Sequence, residues 1–165
     1  ALTSAALAGL IRPQVSDVNM VSAPVMAKER GIILSEARRD KSGVFDGYIK
    51  LTVKTDKQTR SIAGTCFSDG KPRFIQIKGI NLDAEVGTNM VYTTNADAPG
   101  IIGLLGTVFG TAGVNIANFS LGRNKPGGDA IALLYVDEPV EERVLDMVRS
   151  HKEIQSAKSL VFDIA

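Results

Sequence analysis

The stretch that decides the fold runs from Asn89 to Ala165, NMVYTTNADAPGIIGLLGTVFGTAGVNIANFSLGRNKPGGDAIALLYVDEPVEERVLDMVRSHKEIQSAKSLVFDIA. Asn89 to Asn95 reads as a strand. Pro99-Gly100 then opens a helix in which Ile101, Leu104, Leu105, Val108, Phe109 and Ala112 recur at helical spacing, and Gly113 closes it. Strands Val114 to Leu121 and Ala130 to Asp137 flank the loop Gly122 to Gly128, whose proline and glycines mark a hairpin. A second helix begins after Asp137, with Pro139 near its start and Glu138, Glu141 and Glu142 at the positive end of its dipole. Arg149, His151 and Lys152 lie toward its close. Val140, Val144, Leu145 and Val148 form its apolar stripe, and Ser156 to Ile164 supplies the last strand. The order is βαββαβ, the split βαβ or ferredoxin-like arrangement, an antiparallel sheet with two helices on one face. The opposite face must find a cover or meet water.

Upstream of Gly87-Thr88 the texture differs. Ala1 to Ile11 and Ala23 to Arg30 have helical character, the second with Ser22 as N-cap, Pro24 early in the helix and Gly31 as its stop. Ile32 to Arg39, Tyr48 to Thr55, Arg60 to Ser68 and Arg73 to Lys78 read as short alternating strands, punctuated by turn signals at Asp46-Gly47 and Asp69-Gly70. The fold class is therefore α+β: an α+β domain with a β meander over residues 1–87, followed by a βαββαβ domain over residues 88–165.

Composition narrows the chemistry. The chain has 165 residues, 44% hydrophobic and 22% charged, a length that hides roughly 70% of the unfolded surface and needs no covalent staples. One cysteine, Cys66, and one histidine, His151, exclude a disulfide and leave no Cys/His metal set or His/Cys dyad. Cys66 falls mid-strand as a small core residue, and His151 serves as a cation at a helix end. A formal charge of +1, no Trp, three Tyr and six Phe give neither the basic field nor the stacking surface of a nucleic-acid partner. The uncharged run from Ala98 to Gly122 is too polar and too broken by Pro99 and glycines to span a membrane. Ala1 to Ile11 lacks the basic start of a signal peptide, so the expectation is a cytoplasmic protein whose beginning is truncated or processed. No G-x-G-x-x-G opening a helix, G-x-x-x-x-G-K-[ST], G-x-S-x-G or H-E-x-x-H occurs, so neither a nucleotide cradle nor a common hydrolytic centre is encoded.

The turn Asn95-Ala96-Asp97-Ala98-Pro99-Gly100 carries the site. Backbone N–H groups at a helix N-terminus hold a carboxylate, so the amides of Gly100, Ile101 and Ile102 form an anion pocket. The Asp97 carboxylate can accept from an ammonium group, and Asn115, opening the next strand, adds an amide side chain. An amino acid fits such a pair of grips. On the plainer reading Asp97 caps the helix and Asn115 finishes a turn. Gly103, Gly106, Gly110 and Gly113 form a bare stripe, each costing up to about 1 kcal/mol relative to Ala inside a helix. The stripe marks either a close neighbour or a tolerated weak helix. Lys71, Arg73 and Lys78 cluster around one strand, as a solvated face or a small anion site.

These residues resemble a known family. Asp97-x-Pro99-Gly100, then Gly113-Val114-Asn115-Ile116-Ala117, Gly122-Arg123, Gly128-x-Ala130 and Val136-Asp137, are similar to the ACT domain that closes D-3-phosphoglycerate dehydrogenases. Val18-Asn19-x-Val21-x-Ala23-Pro24 and Ala27-Lys28-Glu29-Arg30-Gly31 resemble the intervening allosteric substrate-binding (ASB) domain of the long form. The resemblance implies the regulatory, subunit-joining fragment of an NAD-dependent oxidoreductase of L-serine biosynthesis, whose NAD-binding and substrate domains precede Ala1. No catalytic residue, metal or cofactor then belongs to this fragment, which is inactive alone, while the parent uses NAD. The resemblance further implies a homo-oligomer, dimeric through its ACT domains and tetrameric in the parent. L-serine, the feedback inhibitor, would sit at that interface against Asn95, Asp97, Asn115 and the amides of Gly100, Ile101 and Ile102. Asn95 stands where the family often has His or Tyr. Some relatives hold an anion after the last ASB strand. Here Asn81 and Glu85 occupy that stretch, and the acidic Glu85 argues against a strong anion site, leaving Arg73, with Lys71 and Lys78, as the second anion site. Two other functions fit the same domain pair: assembly without an effector, and the ASB-ACT region of an iron-sulfur L-serine dehydratase, for whose cluster this chain has too few cysteines.

Overall fold

The computed structural model describes residues 1–37 and 47–164. The chain forms two compact units, Ala1–Asp46 and Gly47–Ala165. In the first, helices α1 (Leu2–Ile11) and α2 (Ala23–Glu29) bury Leu7, Ala8 and Ile11 against Val18, Ala23 and Ala27. The chain enters α2 through Asn19, whose Oδ1 accepts the N–H groups of Val21 at 2.8 Å and Ser22 at 3.0 Å, an Asx turn. Ser22 itself makes no side-chain cap, Pro24 lies in the first turn, and Gly31 stops the helix at φ 70°. The strand expected over Ile32 to Arg39 is absent from Ile32 to Ala37, and Arg38 and Arg39 lie outside the described residues. Ile33 is 96% exposed there. Alternation suits a strand, but without a partner's backbone no ladder forms.

The second unit opens with an antiparallel meander in the order β1 (Ile49–Lys54), β2 (Thr59–Cys66), β3 (Pro72–Ile77) and β4 (Ile80–Glu85). Its fourth strand was not expected from the sequence. Lys78-Gly79 makes the two-residue reversal, at φ 52° and 78°, the left-handed pair that a tight hairpin requires. Asp69-Gly70 turns as expected, Gly70 N–H donating to the Phe67 carbonyl at 2.9 Å. Asp46 of the other expected turn lies outside the described residues. Cys66 ends β2 on the surface, which corrects its expected burial.

The βαββαβ order then appears as β5 (Asn89–Ala96), α3 (Ile101–Thr111), β6 (Ile116–Arg123), β7 (Asp129–Val136), α4 (Glu142–Arg149) and β8 (Ile154–Val161). The sheet order is β6-β7-β5-β8, with every neighbouring pair antiparallel. Leu105, Val108 and Phe109 of α3 and Val144, Leu145 and Val148 of α4 pack on Val91, Ala132, Leu134 and Val136. Each large side chain buried this way contributes roughly 1.5–3 kcal/mol. Pro139 precedes α4 rather than lying within it, and Glu141 at φ −65°, ψ 147° is the cap residue. Arg149 ties the end of α4 to β8, its Nε and Nη2 donating to the Ala157 carbonyl at 3.0 and 2.7 Å.

The other sheet face is covered by the meander. Ala84, Met90 and Leu133 form one buried cluster with Phe74, Ile77, Leu82, Tyr92, Leu160 and Phe162 around it. Ser120 Oγ donates to the Asp83 carbonyl at 2.6 Å. At Gly122 a Cβ would stand 2.4 Å from the Asn81 carbonyl oxygen, so only glycine lets β4 lie this close to β6. The contact division into compact units comes at Gly47, so the meander packs with the βαββαβ sheet.

Candidate functional site

Asn95 and Asp97 end β5 beside the start of α3. Gly100, at φ 95°, turns the chain into the helix, and its carbonyl accepts the Leu104 N–H at 2.8 Å. No side chain caps α3, and among the described residues no hydrogen bond engages the N–H groups of Ile101, Ile102 and Gly103. They lie at the positive end of the helix dipole, where negative charge is favoured.

Asp97 does not cap α3. Its Oδ2 accepts from Arg123 Nη1 at 2.8 Å and from the Gly127 N–H at 3.0 Å, and its own N–H donates to the Gly128 carbonyl at 2.8 Å. The β6–β7 loop is thereby pinned to the end of β5. Arg123 and Gly127 hold the Asp97 carboxyl below the ordinary carboxylate range. Asn95 is buried, 1% exposed, with Nδ2 donating to the Ala96 carbonyl at 2.7 Å, while its Oδ1 has no partner. Thr93, two residues from Val91 along β5, likewise carries a buried hydroxyl with no partner. Polar groups in that condition cost about 1–3 kcal/mol each, a cost that a bound donor removes.

Asn115 lies elsewhere. Asn95 pairs with Ala130 at one end of β7, whereas Asn115 meets Asp137 beyond the other end, its Nδ2 donating to Asp137 Oδ2 at 2.7 Å. From Ala130 to Asp137 the strand advances about 23 Å at roughly 3.3 Å per residue. Asn115 instead lines a cleft of about 290 Å³ with Asp137, Glu138, Glu141 and Arg143. One chain therefore assembles Asn95, Asp97 and the amides from Gly100 to Ile102, and does not bring Asn115 to them. Reasoning from sequence missed the role of Arg123; its place after Gly122 gives no hint that its side chain reaches back to Asp97.

At the expected second anion site Lys71 and Arg73 are paired with carboxylates. Arg73 Nη1 lies 3.4 Å from Asp83, its Nη2 lies 3.5 Å from Asp69 and 3.9 Å from Glu85, and its guanidinium carbon sits 4.6 Å over the Phe67 ring. Lys71 Nζ lies 2.9 Å from Glu85, whose hydrogen bond raises the lysine pKa. Three carboxylates face these two cations, so the cluster repels an anion. Lys78 is separate from it, in the β3–β4 turn, with Nζ 5.8 Å from the centre of the Tyr92 ring. Glu85 and Asp83 belong to the strand that the sequence left unassigned; the acidity of Glu85 was legible there, its pairing with Lys71 and Arg73 and the part of Asp83 were not. No helix is long and apolar enough to cross a membrane among the described residues, and no group of three or more His, Cys, Asp or Glu there is placed to hold a metal.

Residues 1–78 match the family described as the D-3-phosphoglycerate dehydrogenase intervening domain. The chain is 34% identical over 158 residues to a D-3-phosphoglycerate dehydrogenase of Bacillus subtilis, covering 95% of this chain and 30% of that protein. It is 34% identical over 148 residues to one of Archaeoglobus fulgidus, covering 88% and 28%. A third, from Synechocystis, is 31% identical over 157 residues, covering 94% and 28%. The chain thus spans about 30% of the length of these relatives.

Proposed function

We propose that the chain, similar over most of its length to D-3-phosphoglycerate dehydrogenases, is the C-terminal regulatory and assembly region of such an enzyme, binding L-serine between two ACT domains. Oxidation of the substrate with NAD then belongs to the rest of the longer protein, and this region contributes no catalytic group. The observation that carries the reading is the separation of Asn115 from Asn95 and Asp97.

Strand β6 is an edge of its sheet. Antiparallel pairing of β6 with the same strand of a second copy sets the Asn115 end of one chain beside the Arg123 end of the other, where Asp97 is held. Two equivalent sites result, each with the α3 start of one chain and Asn115 of its partner. A zwitterion suits the set: free N–H groups for its carboxylate, the Asp97 carboxylate and the Asn95 Oδ1 for its ammonium, and the Asn115 amide for a side-chain hydroxyl. Serine that binds one arrangement of the oligomer more tightly than another shifts the population toward it, by no more than the difference in affinity. The Arg123–Asp97 ion pair favours a second reading, in which the carboxylate is already satisfied and the region only joins subunits.

Calorimetric titration of the folded chain with L-serine separates the two. A saturable heat with one site per chain, lost in Asn115→Ala, is expected. A flat trace at millimolar serine on a folded dimer overturns effector binding and leaves assembly.

A further inference from the structure

Asp97 stands shortly before Gly100, which turns the chain into α3, and aspartate is among the side chains most favoured at a helix start. The N–H groups of Ile101, Ile102 and Gly103 have no partner among the described residues, so a carboxylate this near gains by turning onto them. It does not turn. Its Oδ2 is taken twice, by Arg123 Nη1 at 2.8 Å and by the Gly127 N–H at 3.0 Å, and among the described residues no hydrogen bond reaches Oδ1.

The loop that supplies the Gly127 N–H stands without the arginine. Asn124 closes it, its N–H donating to the Asp129 carbonyl and its Oδ1 accepting the Asp129 N–H, each at 3.0 Å, and the Gly128 N–H donates to the Lys125 carbonyl at 3.0 Å. The Asp97 N–H fastens this loop to the end of β5 through the Gly128 carbonyl at 2.8 Å. Arg123 adds a charge on the carboxylate alone, and with its side chain 53% exposed the ion pair contributes little to stability. What it does contribute is direction. With Arg123 gone, the Asp97 carboxylate has one neutral N–H, that of Gly127, to set against several aligned N–H groups at the positive end of α3.

We propose that Arg123 is a positioning residue, which holds the Asp97 carboxylate away from the start of α3 so that the helix N–H groups stay open to the carboxylate of an amino acid and Oδ1 stays open to its ammonium group. The proposal rests on the effector reading given above. Without Arg123, Asp97 caps α3 and withdraws both grips at once, and the ligand binds only the fraction of chains in which the cap is open. A cap of ordinary strength then weakens apparent affinity about five- to tenfold.

The test compares the 165-residue chain with Arg123→Met and Arg123→Lys by NMR amide exchange without ligand, by thermal melt and by calorimetric titration with L-serine. Arg123→Met is expected to slow exchange of the Ile101 and Ile102 amides, to leave Tm unchanged or higher, and to bind L-serine about five- to tenfold more weakly. Arg123→Lys should return most of both the exchange rate and the affinity. An arginine with a merely structural role would lower Tm on removal and leave those amides exchanging as in the parent chain. Unchanged exchange at Ile101 and Ile102 in Arg123→Met overturns the proposal, and so does parental serine affinity in that variant. No heat from L-serine with the parent chain overturns the effector reading instead, and the amide exchange, which needs no serine, still upholds or overturns the hold of Arg123 on Asp97.

Discussion

Replacing Gly122 by Ala places a methyl group 2.4 Å from the Asn81 carbonyl oxygen and 2.9 Å from Ile80 Cγ2. Ordinary contact for such atoms begins about 1 Å farther out, so β6 and β4 must separate by roughly that amount. The obstacle is backbone held in the β3–β4 ladder, so no rotamer change relieves it. Overpacking of this kind costs about 1–3 kcal/mol, and a rigid obstacle sets the expectation at about 2–3 kcal/mol. For a chain of this size that lowers Tm by roughly 6–10 °C and lowers the urea midpoint without changing the slope. The Ser120–Asp83 hydrogen bond lies across the same contact and should be lost with it, exposing the Ser120 region to faster amide exchange. Thermal melts and urea titration of Gly122→Ala beside the parent chain decide the matter. An unchanged midpoint would refute the claim that the meander and the βαββαβ sheet share one core.

Other perturbations follow from the same contacts. Gly106→Ala meets nothing within 4 Å and removes a helix-weakening residue, so it should stabilise the chain by up to about 1 kcal/mol in a thermal melt; a loss of dimer on size exclusion would instead assign the bare stripe to a subunit contact. The folded-state pKa of Asp97 is depressed, so its contribution is complete above the ordinary carboxylate range and fades as pH falls through the folded value. Asp97→Asn should therefore flatten the decline of the urea midpoint between neutral and strongly acidic pH, and an unaltered pH profile would dissolve the role given to Arg123. Arg149→Met frees the end of α4 from the Ala157 carbonyl and should speed amide exchange in α4 and β8 while leaving the meander unchanged.

Local pattern made most of the second unit legible. Leu105, Val108 and Phe109 recur at helical spacing, Gly100 and Gly113 stand at positive φ where the helix begins and ends, and Asp69-Gly70 turns as its chemistry demands. The failures came where long-range partners decide. Ile80-Asn81-Leu82-Asp83-Ala84-Glu85 alternates as cleanly as any strand. It was missed because the turn before it uses Lys78, a residue with no intrinsic preference for positive φ. That omission hid Asp83 from Arg73, and with it the register that sets Glu85 opposite Arg73. Ile32 to Ala37 shows the converse, alternation without a partner strand. At the candidate site the helix start was readable, but the grip of Arg123 on Asp97 joins residues far apart in sequence, and no spacing rule reports it. The distance between Asn95 and Asn115 likewise depends on strand direction, which becomes definite only once the sheet is assembled.

A mixing experiment addresses the sharing of the serine site between two chains most directly. Chains carrying Asp97→Ala and chains carrying Asn115→Ala are each titrated with L-serine, then unfolded together, refolded as a mixture and titrated again. Each variant alone should bind nothing. In the mixture about half the dimers pair one chain of each kind and regain one intact site, restoring roughly a quarter of the parental sites at parental affinity. A mixture that forms such dimers yet recovers no parental-affinity binding would contradict the account.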